Sequence, residues 1–329
     1  MLKKSSTPLW RERPTIELDL DLNPDARYAA LPADAVGYCN TLLNAIMAQI
    51  PPTAAPLAEA VRKKTGERFH PSALALAARH GRDWRDMMLA NVSYDLFLAS
   101  LGCSTLALPT PSGPIVARNM DWFPEALLAR ASYLIRYRRA GKFDHAHAAW
   151  SASIGTVTGM SARGFAVVVN AVRSPEGVNL GGYPVLLFLR KVLEEAVNFR
   201  AALELLSTET LAMSALITLA GSQNDERVVI ERTPTRHALR WGEPGRPLMT
   251  TNHYRQLYAP EETQPEGCSR FARLCEFLEE YDDTREADED ELLTMLSDPG
   301  VIQEITAQHI LMRPRQQEMK VFVPARLLG

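Results

Sequence analysis

The hydrophobic period of this chain changes once, at Cys103, and that change limits the folds open to it. Before Cys103 the apolar residues recur at helical spacing, in "DAVGYCNTLLNAIMAQI", "AAPLAEAVRKKT", "HPSALALAARH" (with Pro71 suited to a first helical turn) and "DWRDMMLANVSYDLFLAS". In the last of these Trp84, Met88, Val92 and Leu96 recur every four residues, the spacing of a buried stripe. From Cys103 onward the runs are short, β-rich and separated by turn residues. "CSTLAL" and "PIVARNM" flank the turn cluster "PTPSG" and read as a hairpin. Further strands are expected in "SYLIRYRR", "HAAWSA", "TVTGM", "GFAVVVNAV", "ALITLA", "ERVVIERT", "RHALRWG", "PLMTTN", "AQHILMRP" and "EMKVFVPA". Two helices, "YPVLLFLRKVLEEAV" and "FRAALELLS", interrupt them, and two more, "RFARLCEFLEEY" and "DEDELLTMLS", precede the last strand pair. Strands in blocks and helices in blocks indicate an α+β layered fold, because alternating βαβ units would interleave them.

Composition narrows the function classes. The 329 residues are 46% hydrophobic, enough for a large core. A net charge of -3 with no basic tract argues against nucleic acid as a partner. The start, "MLKKSSTPLWRERP", lacks the apolar stretch of a signal peptide, and the longest apolar run, "LAMSALITLAG", is too short to cross a bilayer, so a cytoplasmic protein is expected. Cys39, Cys103, Cys268 and Cys275 show neither a disulfide framework nor zinc spacing. The acidic run from Glu276 to Glu291 lacks the alternating ligands and central glycine of a calcium loop and reads as a solvated helix face. His145 and His147 share one strand face and could take zinc, but no third ligand stands out. No metal and no organic cofactor are expected.

The chemistry concentrates in "LGCSTLALPTPSGPIVARNMDW". Arg118 falls on the second strand of the hairpin, beside the Cys103 strand, and a guanidinium near a thiol favours the thiolate. Asp121 leaves that strand at its end and can turn back to orient an amine or thiol. If the bond between Gly102 and Cys103 were cut, Cys103 would carry a free α-amine, of pKa about 7.7–8.0, beside its own thiol: nucleophile and base in one residue. The small Gly102 leaves its carbonyl open to close attack. His253 offers an alternative Cys–His pair with Cys103, which would leave Arg118 and Asp121 without a role.

"GCSTL" followed by "GPIVARNMDW" resembles the nucleophile segment of the N-terminal-nucleophile (Ntn) cysteine hydrolases of the choloylglycine hydrolase group, and is closest to acid ceramidase and N-acylethanolamine acid amidase; bile salt hydrolase and penicillin V acylase are more distant. "MMLANVSYDLFLASLGCST", "GMSARGFAVVVNA", "GGYPVLLFLRKVLEEA", "TTNHYR" and the final strand pair extend the resemblance over nearly the whole chain. It implies an αββα sandwich of two packed antiparallel sheets flanked by helices. It further implies a helical segment 1–102 that stays bound as an α-subunit after autocatalytic cleavage, and a catalytic β-subunit 103–329.

Residue by residue, the resemblance implies Cys103 as nucleophile and Arg118 and Asp121 beside it. Asn170 would offer its backbone N–H to the substrate carbonyl, and Asn252 a side-chain amide to complete the oxyanion hole; donors of this kind are worth about 3–4 kcal/mol each. By turn chemistry alone the two asparagines are strand-end residues. Arg270 is the candidate for a final arginine after Asn252, with Arg273 and Arg255 as competitors. In an oxidising compartment, as in lysosomal relatives, Cys39 could bridge to the Cys268/Cys275 region and "NVS" at Asn91 could accept a glycan. "GGYP" from Gly181 to Pro184 is either a strand-to-helix turn or a loop gating the site, and Val185, Leu186, Leu189, Val192 and Leu193 read as core.

The expected activity is hydrolysis of a linear, non-peptide N-acyl amide with a hydrophobic acyl chain, through a Cys103 thioester. The alternatives are an acyltransferase that passes the acyl group to an amine, and an uncleaved, non-catalytic lipid-binding scaffold. Transient contact with a lipid surface and a homo-oligomer are left open.

Overall fold

A computed structural model describes residues 9–97, 102–259 and 268–328. Its strands in chain order are β1 (Trp10–Glu12), β2 (Thr15–Asp19), β3 (Gly102–Leu108), β4 (Ile115–Asp121), β5 (Tyr133–Arg139), β6 (Lys142–Ala149) and β7 (Thr158–Ser161). They continue as β8 (Phe165–Asn170), β9 (Ala215–Ala220), β10 (Arg227–Arg232), β11 (His237–Trp241), β12 (Leu248–Thr250), β13 (Thr306–Arg313) and β14 (Glu318–Pro324). They form a six-stranded sheet in the order β1-β14-β13-β4-β3-β12 and an eight-stranded sheet in the order β11-β10-β9-β8-β7-β6-β5-β2. Neighbours are antiparallel throughout, except that β2 lies parallel to β5.

The two-residue period of a strand assigns the layers. On β8, Ala166 and Val168 join Ala107, Val116, Ile310 and Met312 of the other sheet in one core between the sheets. Val167 and Val169, on the opposite face of β8, pack with helix Val185–Glu195 and the N-terminal helices. Leu106, Leu108 and Leu311 point away from the central core onto helices Ser269–Leu278 and Glu289–Leu296. Both faces of both sheets are thus covered, which explains why strands such as "FAVVVN" and "ALITLA" are apolar at every position but one and do not alternate with polar residues. The αββα sandwich expected from the sequence is the architecture found.

Four local expectations are corrected. The first 102 residues are not all helical: β1 extends the edge of one sheet against β14, and β2 extends the other against β5. "TIELD" does alternate, with Ile16 and Leu18 buried and Thr15 and Glu17 exposed, but five residues are a faint signal beside the long helices. The helix expected to continue from Trp84 stops at Asn91, and Ser93–Phe97 forms a second, short helix. Its stripe is accordingly buried only at Met88 and Val92; Trp84 is half-buried against His70, and Leu96 is exposed. β6 begins at Lys142, upstream of "HAAWSA", because Asp144 and His145 can be buried together: Asp144 is bonded to His145 at 2.6 Å and paired with Arg139 and Arg163. Finally, Asn91 is not a glycan acceptor in the folded chain. It is buried, its amide donates to the carbonyls of Met87 and Ala152, and its Oδ1 accepts from the N–H groups of Ile154 and Gly155.

The "GGYP" segment is a packed turn. Tyr183 exchanges main-chain hydrogen bonds with Thr210 and Ala212, and Asn179 adds a third to Ala212. A Cβ on Gly182 would lie 2.1 Å from the main chain of Leu211, so only glycine fits. Val185, Leu186, Leu189, Val192 and Leu193 are all core.

Candidate active site

The hairpin sets Cys103 and Arg118 on neighbouring strands, with Cys103 opposite Met120 and Gly102 opposite Asp121. Side chains two positions apart on a strand share a face, so Arg118 and Met120 point the same way and the guanidinium reaches back to the thiol. Arg118 Nη2 donates to Cys103 Sγ at 2.7 Å, Nη1 donates to Thr158 Oγ1 at 2.6 Å, and Nε and Nη2 donate to the Asn119 carbonyl. The thiol also faces the carbonyl of Val169, at 3.9 Å. The guanidinium pulls the thiol toward ionisation as expected, but burial outweighs it: the Cys103 pKa is raised, against Arg118 and Arg270 and with the help of Asp121. In the folded chain burial thus works against the thiolate that the nearby guanidinium favours.

The other groups meet around the backbone of Cys103. Its N–H donates to Asn252 Oδ1 at 3.0 Å, and Asn252 Nδ2 donates to the Ala171 carbonyl at 2.7 Å. Arg270 joins these groups: Nη1 donates to the Cys103 carbonyl at 2.6 Å and to Ser104 Oγ at 3.0 Å, lies 3.5 Å from Asp121 Oδ2, and Nη2 donates to Asn252 Oδ1 at 2.8 Å. Arg273 lies elsewhere, paired with Glu276 and Asp298, and Arg255 stacks on Phe271. Among the three arginines considered, Arg270 is the one that touches this cluster.

Asp121 is sealed from solvent, and burial raises its pKa against the opposing pull of Arg270, Thr306 and Arg118. Its second oxygen accepts from Thr306 Oγ1 at 2.6 Å. Thr306 arrives from β13, where the register to β4 shifts between Thr306 and Gln308; such a bulge re-aims a side chain. Asn170 is buried at the end of β8, its Oδ1 accepting from Thr105 Oγ1 at 2.7 Å and its Nδ2 donating to the carbonyls of Thr250 and Thr251. Its side chain thus ties β3, β8 and β12 together at the level of Cys103.

Thr158, Ser104, Thr105 and Thr306 were missed in the sequence. No spacing marks them: Thr306 comes in through the pairing of β13 with β4, Thr158 and the Thr105–Asn170 bond through the packing of one sheet on the other, and Ser104, next to Cys103, through Arg270. His253 does not face the thiol: Nδ1 meets Thr251 Oγ1 at 3.0 Å and the ring packs edge-on to Phe271. All four cysteines are free. Cys39 is buried beside Ser151 with its pKa pushed up to about 11, and Cys268 meets Thr251 Oγ1, so no bridge links these regions. His145 and His147 are buried against Tyr137, and no group of three or more ligating side chains that could hold a metal occurs among the described residues. No helix of the described residues is long and apolar enough to cross a membrane.

The family profile described as acyl-coenzyme A:6-aminopenicillanic acid acyl-transferase matches residues 108–306, a stretch that contains Arg118, Asp121, Asn170, Asn252 and Arg270 and begins after Cys103. The chain is 23% identical over 235 residues to an N-acylethanolamine-hydrolyzing acid amidase of Caenorhabditis elegans, covering 66% of this chain and 66% of that protein. It is 26% identical over 239 residues to the acyl-coenzyme A:6-aminopenicillanic-acid-acyltransferase 40 kDa form of Emericella nidulans, covering 70% of this chain and 65% of that protein. The matches therefore span just under two thirds of each relative's length. A solved structure of a C. elegans N-acylethanolamine-hydrolyzing acid amidase ortholog superposes with a TM-score of 0.54 at 21% identity, covering 65% of this chain and 93% of that one, and so shares the fold. With a profile that spans more than half of its length laid over this sandwich, the chain belongs to the acyl-coenzyme A:6-aminopenicillanic acid acyl-transferase family.

Proposed function

We propose that this protein is an autoprocessing cysteine amidase that hydrolyses a linear, non-peptide N-acyl amide. The observation that carries the reading is the set of bonds around Cys103. The nitrogen that cleavage would free is held by Asn252, its carbonyl by Arg270, and its sulfur by Arg118. In maturation Cys103 Sγ adds to the Gly102 carbonyl carbon while its proton passes to the departing nitrogen. The C–N bond breaks to leave a thioester and a free Cys103 amine, and water then releases the Gly102 carboxyl group and restores the thiol. Gly102 suits the step because even a Cβ there would press on Asp121, 3.1 Å from Oδ2.

In turnover the free α-amine takes the thiol proton and Sγ attacks the amide carbonyl. The backbone N–H of Asn170 and the Asn252 amide stabilise the tetrahedral oxyanion. The amine gives its proton to the leaving group, and water resolves the thioester. Arg118, Asp121 and Arg270 hold the nucleophile in place. The segment before Cys103 stays bound in this reading, since β1 and β2 are edge strands of the two sheets and its helices share the core of the eight-stranded one.

Acyl transfer is the second reading, favoured by the family's own description: an amine would then replace water on the thioester. The first experiment is intact mass of wild type and Cys103→Ala after incubation across a pH series. Cleavage of wild type alone between Gly102 and Cys103 supports the reading, and an N-acyl amide panel with and without added amine then separates hydrolysis from transfer. A chain that stays whole at every pH favours a non-catalytic scaffold.

A further inference from the structure

Beside the cysteine cluster lies a cavity of about 380 Å³ walled by Arg240, Arg246 and Arg255 together with Trp241 and Phe271. Among the described residues its charge is unbalanced. One carboxylate, Glu243, shares the lining. Glu231 lies 3.8 Å from Arg240, but its two oxygens already accept the N–H groups of Arg255, Gln256 and Leu257. Among the described residues neither Arg246 nor Arg255 has a carboxylate within ion-pair distance, whereas Arg62, Arg68, Arg190 and Arg273 each do. With Glu243 and the already occupied Glu231 set against three guanidiniums, positive charge is in excess, and an anion placed among them lowers their mutual repulsion.

The cavity is coupled to the cluster through one helix. Helix Ser269–Leu278 carries Arg270, which holds the Cys103 carbonyl, and next to it Phe271, whose ring has Arg255 over it at 4.6 Å and meets His253 edge-on at 5.3 Å. Met249 in the same lining pairs with Leu106 on the Cys103 strand, and Arg240 Nη2 holds the Met249 carbonyl at 2.7 Å. Burial, then Arg255, Arg240 and Arg270, push His253 down to about 4, so it adds no further charge to the region near neutral pH.

We propose that this arginine cavity binds the anionic group of a small molecule, a carboxylate or a phosphate monoester, clamped by Arg246 and Arg255 and flanked by the faces of Trp241 and Phe271. The anion site stands on its own; that the anion belongs to the molecule acted on at Cys103 rests on the amidase reading. Planar, bidentate guanidiniums suit both anions, and the aromatic rings suit the apolar part that carries them.

The test is calorimetric titration of full-length Cys103→Ala protein with N-octanoylglycine, octyl phosphate and the neutral N-octanoylethanolamine. At least one anionic probe is expected to bind tenfold or more tightly than the neutral one. That advantage is expected to vanish in the Arg246→Gln/Arg255→Gln double variant, whose two substitutions lie at exposed positions; cooperative unfolding confirms that the variant folds, and the anionic-to-neutral affinity ratio is compared within each protein. The probe showing the advantage identifies carboxylate or phosphate as the chemistry. Equal affinities, no binding of any probe, or an advantage that survives the double variant overturns the proposal. Hydrolysis of neutral amides by wild type is measured separately, so a failed anion site and a failed amidase reading give different results.

Discussion

Arg270→Met is expected to be among the most destabilising single changes at this site. The Arg270 side chain is 14% exposed and its partner Asp121 is sealed. Removal deprives the Cys103 carbonyl and Asn252 Oδ1 of donors at 2.6 and 2.8 Å and leaves Asp121 without its ion pair. Breaking a buried ion pair by deleting one member costs about 3–5 kcal/mol. Because part of Arg270 reaches solvent, about 3 kcal/mol is expected. The loss has a pH signature. The Asp121 pKa is already raised, and without Arg270 it rises further, so the penalty is largest where Asp121 must ionise and shrinks as pH falls through its folded-state pKa. The assay is urea unfolding at two pH values in the Cys103→Ala background, where the chain stays whole, with Arg273→Met alongside. Arg273 pairs with Glu276 and Asp298 near the surface, and its loss is expected to fall within error. If Arg270→Met is no worse than Arg273→Met, the cluster is not held by Arg270 and the reasoning fails.

Two other predictions follow from buried polar groups. Asn91→Ala strands the N–H groups of Ile154 and Gly155 and the carbonyl of Ala152, and should cost about 3–4 kcal/mol in urea unfolding; a loss under about 1 kcal/mol would mean that the 152–155 loop finds other partners. Burial holds His309 down to about 4 from an ordinary 6.5, so its contribution is present in full above pH 6.5 and is lost as pH falls, by about 1 kcal/mol at pH 5.5. His309→Asn, which keeps a donor toward Asn119 Oδ1, should therefore close its stability gap to wild type by that amount between pH 7.5 and 5.5, and a constant gap would refute the assignment.

Much of the fold was legible because local physics writes it into the chain. "HPSALALAARH" is a helix from its first to its last residue, and "ALITLA" is a strand at those same bounds. Cys103, Arg118 and Asp121 could be placed together because a hairpin is a local object, and its register follows from the turn. Asn252 and Arg270 lie 149 and 167 positions from Cys103, and only the resemblance brought them to it. β1 and β2 stayed hidden because a short edge strand gains its stability from the sheet it joins, and the break after Asn91 did so because that side chain bonds to a loop 61 residues away.

The sequence by itself determined the layer pattern and the chemical groups available, since periodicity and residue type are properties of the chain. Tertiary structure alone decided which of Arg270, Arg273 and Arg255 reaches the Cys103 carbonyl, which threonine meets Asp121, and in which direction the thiol pKa moves. Those depend on pairings distant in sequence and on burial, and here the loss of water around Cys103 outweighs the guanidinium beside it.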